Sequence, residues 1–433
     1  MARIKLAYIG GGSTRAAGTM ASFVHQGSSF DGSEVVLIDL DADRADLIRR
    51  LAQKFVDQAG LDITVRSTTD RRAGLEDVDA VLSSFRPGGF QARALDERIP
   101  LKHGVIGQET QGPGGFFMAL RSVAVMAEVA AELADVAPKA VVFNYTNPVN
   151  VVAQALTTHT DIPTFSFCEG PWIFPEQVAR AAGLDPARMT TTMVGINHNC
   201  WSTEHTYDGT DLIPHLRAGL EARRDDPTLA ADDRRLLRLA VAMEAVPAYY
   251  FRYYYFREEI LRELQGRART RAEDILARVP SYWEHYVEQA DAAAPQLDPA
   301  RSRGGIHELE LAIDAMNAYF NDAPAVLPVN LPNSGGLLPG FDDDVVVEIP
   351  TRVDGSGFTG LAQQPLPHRV AGLVKALAEH QVLAADAAWE GTAADGVRAL
   401  AAHPLVPTLT VAEELYAELA HAHAAHLPAR LVP

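Results

Sequence analysis

The stretch Arg3-Ile-Lys-Leu-Ala-Tyr-Ile-Gly10, followed by Gly11-Gly-Ser-Thr-Arg15, decides the fold class of this chain. Its first part is a short apolar run typical of a β-strand, and a helix-like segment follows the glycines to about Gln26. A strand, a glycine turn and a helix in this order are the context of a dinucleotide-binding fingerprint. Gly10 allows the tight turn and Gly12 lets the backbone approach a pyrophosphate. The match is partial, because Arg15 occupies the position of the third glycine.

A second run, Val35-Val-Leu-Ile-Asp39, places a carboxylate at the end of the next strand, 27 residues after Gly12. An acid at this point accepts the ribose hydroxyls of NAD and disfavours the extra phosphate of NADP. Asp39 could instead cap the following helix. The strand, turn and helix before it favour the ribose role, and they predict phosphate contacts at the helix N-terminus, from Ser13 and Thr14.

Three further apolar runs indicate strands, at Ile63 to Arg66, Ala80 to Phe85 and Ala140 to Asn144. The clearest helix is predicted at Phe117 to Val136. Such alternation is typical of α/β proteins with a doubly wound parallel sheet. We predict an N-terminal Rossmann-type NAD-binding domain over residues 1–195 and a C-terminal mixed α+β substrate and oligomerisation domain over residues 196–433.

Polar and glycine-rich stretches follow several of these strands. They are Ser83-Ser-Phe-Arg-Pro-Gly-Gly89, Gln108-Glu-Thr-Gln-Gly-Pro-Gly-Gly115 and Asn144-Tyr-Thr-Asn-Pro148. Ligands of open α/β sheets collect at the carboxyl ends of the strands. The side-chain amides of Asn144 and Asn147 offer the paired donors and acceptors that a hydroxyl-rich ligand needs. Each stretch taken alone could also be an ordinary loop.

Composition excludes several classes of protein. The chain has 433 residues, of which 22% are charged, and a formal net charge of −18. Without a long basic run, such a charge argues against nucleic acid and anionic membranes as partners. No apolar run reaches the roughly 18 residues of a membrane span, and no signal-peptide segment precedes the first strand. Two cysteines are too few for a disulfide framework, so we expect a cytoplasmic protein.

Cys168 and His198 are candidate metal ligands. Cys168 follows the apolar run Phe165-Ser-Phe167, and His198 lies in an Asn-His-Asn turn after another strand-like run. A thiolate and an imidazole suit a divalent ion such as Mn, Co or Zn. A free cysteine is more often buried filler, which is our interpretation of Cys200, and a lone histidine more often forms an ordinary hydrogen bond.

Together these motifs resemble glycoside hydrolase family 4 over nearly the whole chain. The resemblance is carried by Gly10-Gly-Gly-Ser13, Arg93-Ala-Leu-Asp-Glu-Arg-Ile-Pro100, Gly107 to Gly115, Asn144-Tyr-Thr-Asn-Pro-Val149, Cys168, Gly195-Ile-Asn-His198, Val329-Asn-Leu-Pro-Asn333 and Val346-Val-Glu-Ile-Pro350. Arg86-Pro-Gly-Gly89 and Tyr250-Phe-Arg-Tyr-Tyr-Tyr255 look most like the 6-phospho-β-glucosidase branch.

The resemblance implies a glycosidase that uses NAD and a divalent metal, Mn being favoured, on (6-phospho-)β-glucosides. NAD oxidises the sugar at C3, a tyrosinate removes the C2 proton, the aglycone leaves from C1, water adds, and NADH returns the hydride. The metal stabilises the developing enolate charge, and the cofactor carries the difficult electron movement.

Residue roles follow from the same resemblance. Cys168 and His198 resemble the metal ligands, and Tyr250 the base, with Tyr249 and Tyr253 as alternatives. Glu169 is the candidate acid for the leaving group, or a group that orients a ligand. The remaining predicted contacts are Asn144 for the cofactor and Arg93, Asn147 and Arg303 for the sugar or its phosphate.

The chain departs from the family pattern at two places near the substrate. Glu169 stands where phospho-β-glucosidase relatives carry a residue such as Asn, and Ile306-His-Glu-Leu-Glu310 replaces an aromatic stretch after Arg303-Gly-Gly. A more acidic pocket suits a phosphorylated sugar poorly. A family member acting on a non-phosphorylated sugar or a uronide is therefore one alternative.

Two other functions stay open. An NAD-dependent hydroxy-acid dehydrogenase would share the fold, and Arg86-Pro-Gly88 resembles its mobile-loop arginine, but it would accumulate NADH. If the protein were a non-catalytic NAD-binding regulator, Cys168 and His198 would have no functional role.

The second half of the chain indicates mixed structure. We predict β structure from Thr190 to Tyr207, helices from Leu236 to Ala277 and from Ile306 to Ala318, and largely helix from Arg369 onward. His421, His423 and His426 fall in an Ala-rich helical pattern and are interpreted as a solvated helix face. Apolar, tyrosine-rich segments suit a homodimer or homotetramer.

Overall fold

The computed structural model describes residues 1–303 and 309–433. Their strands form one sheet in the order β3-β2-β1-β4-β5-β6-β10-β11-β7-β8-β9, and β12 pairs with β11. The strands are β1 (Lys5–Ile9), β2 (Glu34–Ile38), β3 (Thr64–Thr68), β4 (Ala80–Ser83), β5 (Val141–Asn144), β6 (Thr164–Ser166), β7 (Met189–Ile196), β8 (Asn199–Tyr207), β9 (Thr210–Asp211), β10 (Ala325–Pro332), β11 (Val346–Asp354) and β12 (Gly357–Gly360).

The first six strands are parallel, as the sequence predicts. Leu6 and Tyr8 of β1 point into one apolar core, and Ala7 and Ile9 point into another. Both faces of this part of the sheet are therefore buried, which explains why its strands are near-continuous apolar runs. The predicted Rossmann-type parallel sheet is confirmed.

Helices cover both faces of the parallel strands. They are α1 (Ala16–His25), α2 (Ala42–Ala59), α3 (Arg71–Leu75), α4 (Gly89–Lys102), α5 (Gly112–Val136), α6 (Val149–His159) and α7 (Gly170–Ala181). Helix α5 begins five residues before the predicted Phe117, because Pro113 stands in its first turn, where a missing N–H leaves no helical hydrogen bond unmade. The Asp41 side chain caps α2 by accepting from the Arg44 amide.

The remaining helices are α8 (Leu212–Ala222), α9 (Ala231–Met243), α10 (Arg252–Tyr255), α11 (Arg257–Gly266), α12 (Arg271–Leu276), α13 (Val279–Asp291), α14 (Glu310–Phe320), α15 (His368–Trp389), α16 (Ala393–Ala401) and α17 (Leu409–Ala422). The start predicted for α14, at Ile306, lies outside the described residues. In the part of the chain that the structure describes, no helix is long and apolar enough to cross a membrane.

The antiparallel strands continue the parallel sheet without a gap. β10 pairs with β6, and β11 pairs with both β10 and β7. Helix α15 packs on α5 and α6, so the end of the chain covers the first half. The division at residue 195 falls inside β7 and stays a prediction.

The interpretation of the C-terminal histidines is wrong for one of them. His423, which follows α17, is 1% exposed. Its Nε2 lies 2.8 Å from Asp96 Oδ1 on α4. An Ala-rich helical pattern does not show that α17 packs against α4 and α5, which is what buries this histidine.

Candidate active site

The Gly10–Gly12 turn joins β1 to α1 and lies against the end of β2. The Gly10 amide donates to the Ile38 carbonyl over 2.9 Å, and the Gly12 amide donates to Asp39 Oδ2 over 2.9 Å. Gly10 has a φ of +94°, a conformation that favours glycine. A Cβ on Gly12 would lie 2.8 Å from Asp39 Cγ. The turn is therefore a cradle that only glycine can line, with the Asp39 carboxylate at its edge.

The other predicted cofactor contacts lie beside this turn or at the ends of neighbouring strands. Ser13 Oγ is buried and has no hydrogen-bond partner among the described residues. The Thr14 carbonyl accepts from the Tyr286 hydroxyl over 2.7 Å. Asn144 accepts from Ser83 Oγ and donates to Ser166 Oγ, so its side chain ties β4, β5 and β6 together.

Asn147 lies just after β5, and its carbonyl accepts from Ser122 Oγ over 2.9 Å. Its buried side-chain oxygen has no partner within residues 1–303 and 309–433. Buried polar atoms are normally hydrogen-bonded. The unpartnered oxygens of Ser13 and Asn147 fit a site that receives a polar ligand.

Strands from late in the chain bring the Cys168 and His198 segments together. Glu348 of β11 is fully buried and accepts from Asn197 Nδ2 over 2.8 Å and from Asn330 Nδ2 over 3.0 Å. Asn330 also donates to the carbonyl of Ser166, over 3.2 Å. Asn197 precedes His198, and Ser166 ends the strand before Cys168. This hydrogen-bonded bridge therefore fixes the two predicted ligand segments against each other.

Burial sets the protonation of the groups in this region. It raises the pKa of the Cys168 thiol and raises the pKa of Glu348 to about 7. It lowers the pKa of His198 to about 3, so the imidazole is neutral at ordinary pH. Metals bind neutral imidazole and thiolate. The neutral histidine would suit a metal, whereas the thiol would have to lose its proton on metal binding.

His198 stands in the tight turn between β7 and β8, with a φ of +65°. Its ring stacks on Tyr250, with centroids 4.0 Å apart and planes 16° from parallel. Phe174 of α7 meets the Tyr250 ring edge-on at 5.9 Å. Burial also raises the pKa of Tyr250. The predicted base therefore lies on one of the predicted metal ligands.

Glu169 follows Cys168 and directly precedes α7. Its Oε1 accepts a hydrogen bond of 2.7 Å from the Tyr145 hydroxyl. Tyr145 itself is buried, at the end of β5. A tyrosine that donates to one carboxylate oxygen fixes the orientation of the carboxyl group, as a proton donor at a leaving group requires.

A cavity of about 1080 Å³ opens beside Tyr250. Three of the predicted site residues line it, namely Arg93, Tyr250 and Arg303. Arg93 forms ion pairs with Glu97 and Glu109, and Glu109 also pairs with Arg86. Arg303 lies over the Phe90 ring, 4.5 Å from its centroid. The structure thus brings two of the three predicted substrate residues and the predicted base to one cavity, whereas Asn147, Glu169, Cys168 and His198 are not among its lining residues.

Several residues of this site have no predicted role in the sequence. Glu348 and Asn330 fall in two of the motifs that carry the family resemblance, which is the one signal that could have found them. Thr110 lies in a third such motif, and its hydroxyl is 2.8 Å from His198 Nδ1. Tyr145 lies in a fourth such motif, Asn144 to Val149, although an aromatic residue after an apolar strand looks by itself like core packing.

Comparison with known proteins agrees with this geometry. The "Family 4 glycosyl hydrolase" description matches residues 5–184, and "Family 4 glycosyl hydrolase C-terminal domain" matches residues 193–406. A "Probable 6-phospho-beta-glucosidase" of Bacillus subtilis (strain 168) is 32% identical over 98% of this chain and 97% of its own length. A "6-phospho-beta-glucosidase" of Escherichia coli (strain K12) is 29% identical, over 98% and 96%.

The fold is similar to that of a solved 6-phospho-beta glucosidase. The 6-phospho-beta glucosidase from Thermotoga maritima, solved with manganese, NAD+ and glucose-6-phosphate, superposes with a TM-score of 0.82 at 23% identity. The superposition covers 98% of this chain and 99% of that one. The resemblance that the motifs indicate is confirmed: the chain belongs to family 4 of the glycosyl hydrolases.

Proposed function

We propose that this protein is a 6-phospho-β-glucosidase that uses NAD and Mn²⁺ and cleaves its substrate by oxidation and elimination. The observation that carries the proposal is the stack of Tyr250 on His198 at the wall of a cavity that Arg93 and Arg303 also line. The names of the two bacterial relatives support the same substrate class.

The residues present fit NAD. The turn from Gly10 to Gly12 has no side chains, so its backbone can approach a pyrophosphate, and a Cβ at Gly12 would collide with Asp39. Asp39 lies at the edge of the turn, where an acid selects a ribose with free hydroxyls. The Ser13 hydroxyl, which is buried and has no partner among residues 1–303 and 309–433, is available to the ligand.

The residues present also fit a metal held by two protein ligands, Cys168 and His198. Within the described ranges, no group of three or more His, Cys, Asp or Glu side chains could hold a metal. Oxygens of the sugar and of water would complete the coordination, which suits an ion such as Mn²⁺ that accepts oxygen ligands beside sulfur and nitrogen.

When bound, NAD supplies reversible oxidation of the sugar and the metal supplies Lewis acidity at the oxidised carbon. In this mechanism Tyr250 is the general base that removes the proton from the carbon next to the oxidised one. The hydroxyls of Tyr249, Tyr253 and Tyr254 are bonded to Asp232, Arg252 and Gln111, respectively. Tyr250 has no such bond to any described residue, which favours its hydroxyl as the one left for substrate.

A base must ionise, and burial opposes ionisation of Tyr250. Arg93 and Arg15 act in the other direction on its pKa, although more weakly. A cation held by the adjacent His198 would favour the tyrosinate further. Glu169, oriented by Tyr145, is the proton donor to the oxygen of the leaving group.

A phosphorylated sugar accounts for the charge of the cavity. In a chain of net charge −18, the cavity lining carries ten basic and four acidic side chains. The basic ones are Arg15, Arg93, Arg98, Lys102, Arg252, Arg267, Arg269, Arg271, Arg278 and Arg303. Such a concentration of arginine suits a phosphate dianion.

The test is release of nitrophenol from nitrophenyl β-glucoside with and without a 6-phosphate, in NAD and Mn²⁺, repeated with a chelator. We expect release from the phosphorylated sugar alone, lost on chelation and without net NADH. Release only from the free sugar or from the α-anomer would replace the proposed substrate. Net formation of NADH without cleavage of the glycoside would mean that the protein acts as a dehydrogenase and not as a glycosidase.

We also propose a cytoplasmic homodimer or homotetramer. Both cysteines are free thiols, which suits a reducing compartment. Neighbouring apolar side chains on α7, Trp172 and Ile173, are 48% and 52% exposed, which suits contact with a second copy. Light scattering after size-exclusion chromatography gives the mass directly, and a monomer would contradict this part of the proposal.

A further inference from the structure

The edge of the His198 ring that carries Nδ1 is held by Thr110. Thr110 lies in the loop before α5, and its Oγ1 is 2.8 Å from His198 Nδ1. The stack on Tyr250 fixes the plane of the ring from its face. Together these contacts leave the imidazole one orientation, with Nε2 on the opposite side of the ring from Thr110.

The neighbouring Gln108 decides which way the proton between Thr110 and His198 lies. Gln108 Oε1 accepts from the Thr110 amide over 2.7 Å and from the Thr110 hydroxyl over 3.1 Å. A carboxamide oxygen only accepts, so the single hydroxyl proton of Thr110 is directed to Gln108. The hydroxyl oxygen can then accept from His198, which places the imidazole proton on Nδ1.

The other tautomer would leave a hydrogen-bond donor without a partner. If the Thr110 hydroxyl donated to Nδ1, the imidazole proton would stand on Nε2. Within the described residues Nε2 forms no hydrogen bond, and His198 is only 6% exposed, so an Nε2–H donor would depend on the small exposed part of the ring. In the Nδ1–H tautomer, His198 Nδ1 donates to the Thr110 hydroxyl oxygen and the Thr110 hydroxyl donates to Gln108, so both donors have an acceptor.

We propose that Thr110, oriented by Gln108, is a positioning residue that holds His198 in the Nδ1–H tautomer and so presents the Nε2 lone pair as the metal ligand. This inference rests on the metal site of the proposed function. Residues that orient a ligating histidine through its other nitrogen typically change metal affinity by about 10–100-fold when they are lost.

The first measurement reads the tautomer without any metal. Full-length protein labelled with ¹⁵N-histidine is stripped of metal, and long-range ¹H–¹⁵N spectra are recorded at neutral pH, with His198 assigned from its absence in His198→Gln. We expect Nδ1 protonated and Nε2 unprotonated in the wild type and in Thr110→Ser. In Thr110→Val, which has no oxygen to accept the proton, we expect a gain of the Nε2–H form.

The second measurement is Mn²⁺ affinity of the same proteins, from the free-ion signal in electron paramagnetic resonance. We expect binding about 10–100-fold weaker in Thr110→Val, and binding within about threefold of wild type in Thr110→Ser, which keeps the hydroxyl. Wild-type His198 carrying its proton on Nε2 would overturn the inference, and so would unchanged affinity in Thr110→Val.

Gln108→Leu provides a second variant should Thr110→Val fail to fold. Without the Gln108 oxygen, the Thr110 hydroxyl is free to donate to Nδ1, so the Nε2–H form should rise; an unchanged tautomer would contradict the inference. Failure of the glycosidase proposal is separate, because it shows as absent nitrophenol release while the tautomer and the Thr110-dependent affinity are as expected.

Discussion

The Tyr250 ring lies face to face on the His198 imidazole, with centroids 4.0 Å apart. Because His198 is itself fixed by its turn and by Thr110, the stack places the tyrosine hydroxyl at a set position beside the metal-binding region. In the proposed mechanism, a proton acceptor in this place would act on the carbon next to the one that a bound metal would polarise.

Replacing Tyr250 by Phe keeps the stack and removes the hydroxyl. We expect kcat to fall by about 10²–10⁴-fold, the usual contribution of a general base, with NAD affinity unchanged. Exchange of the sugar C2 hydrogen with D₂O should fall in parallel. Tyr253→Phe is the matched control, because that hydroxyl accepts from Arg252. If Tyr253→Phe lost the exchange and Tyr250→Phe kept it, the assignment of the base would be wrong.

Gly12→Ala should abolish cofactor binding. The new methyl group would lie 2.8 Å from Asp39 Cγ, inside contact distance, so the turn and the Asp39 carboxylate would have to move apart. Gly372→Ala is the control, since nothing lies within 4 Å of a Cβ there and the residue is inside α15. Alanine in a helix should stabilise the fold by about 0.4–1 kcal/mol. Calorimetric titration gives the NAD affinity of both variants. NAD affinity retained in Gly12→Ala would contradict the cradle.

Asp39 should select NAD over NADP. Its carboxylate is held by the amides of Gly12 and Asp41, at the edge of the cradle. Asp39→Ser removes the charge that repels a ribose phosphate, so the ratio of the two dissociation constants should move toward NADP. Titration with each dinucleotide gives that ratio, and a ratio equal to wild type would contradict selection by Asp39.

Asp96 holds three helices together from a fully buried position. It forms an ion pair with Arg121 of α5 and contacts His423 after α17. Burial works against its charge, but Arg121 and His423 together hold the pKa of Asp96 below its usual value. Asp96→Asn should reduce the free energy of unfolding by about 3–5 kcal/mol, because it leaves the Arg121 charge buried and unpaired.

The control for Asp96 is the exposed pair between Arg98 and Glu273, in which Arg98 is about half exposed. Glu273→Gln should cost no more than about 1 kcal/mol. Urea unfolding measures both variants. Equal losses would show that the Asp96 cluster is not buried as described.

Acid should destabilise the protein through two buried histidines, His380 and His403, that have no proposed catalytic role. Burial lowers the pKa of His380 to about 4, and lowers that of His403 well below its usual value. Both are neutral when folded, whereas the unfolded chain takes up protons near pH 6.5. Their contribution is therefore complete above about pH 6.5 and lost as pH falls, by about 1.4 kcal/mol per pH unit for each histidine. His380→Gln should flatten the slope between pH 6 and pH 5 in urea unfolding, and an unchanged slope would contradict this assignment.

The cofactor half of the site could be predicted because its signals are local. Gly10, Gly12 and Asp39 stand at fixed distances along the chain from two strands, and backbone geometry then brings them together. Cys168 and His198 could be proposed for a similar reason, since each follows a strand. Arg93 and Tyr250 needed the family resemblance, because a lone arginine or an aromatic run has no pattern of its own.

The contacts that join distant segments could not be predicted. Glu348 is buried only because β11 pairs with both β7 and β10, and no local pattern in the chain states that pairing. Thr110 contacts His198 across 88 residues. The burial of His423 depends on the packing of α17 on α4. In each case the decisive neighbour comes from another part of the chain.

The bridge through Glu348 has a consequence for synthesis on the ribosome. Every residue that we assign to the cofactor and the metal lies before residue 200, yet the strands that hold Cys168 and His198 in place come from residues 325–354. A nascent chain that extends past His198 therefore contains both proposed ligands, but it lacks the strands that hold them in place. The centre is assembled only after β10 and β11 leave the exit tunnel and insert between β6 and β7, so a truncated chain would carry the cradle without a working centre.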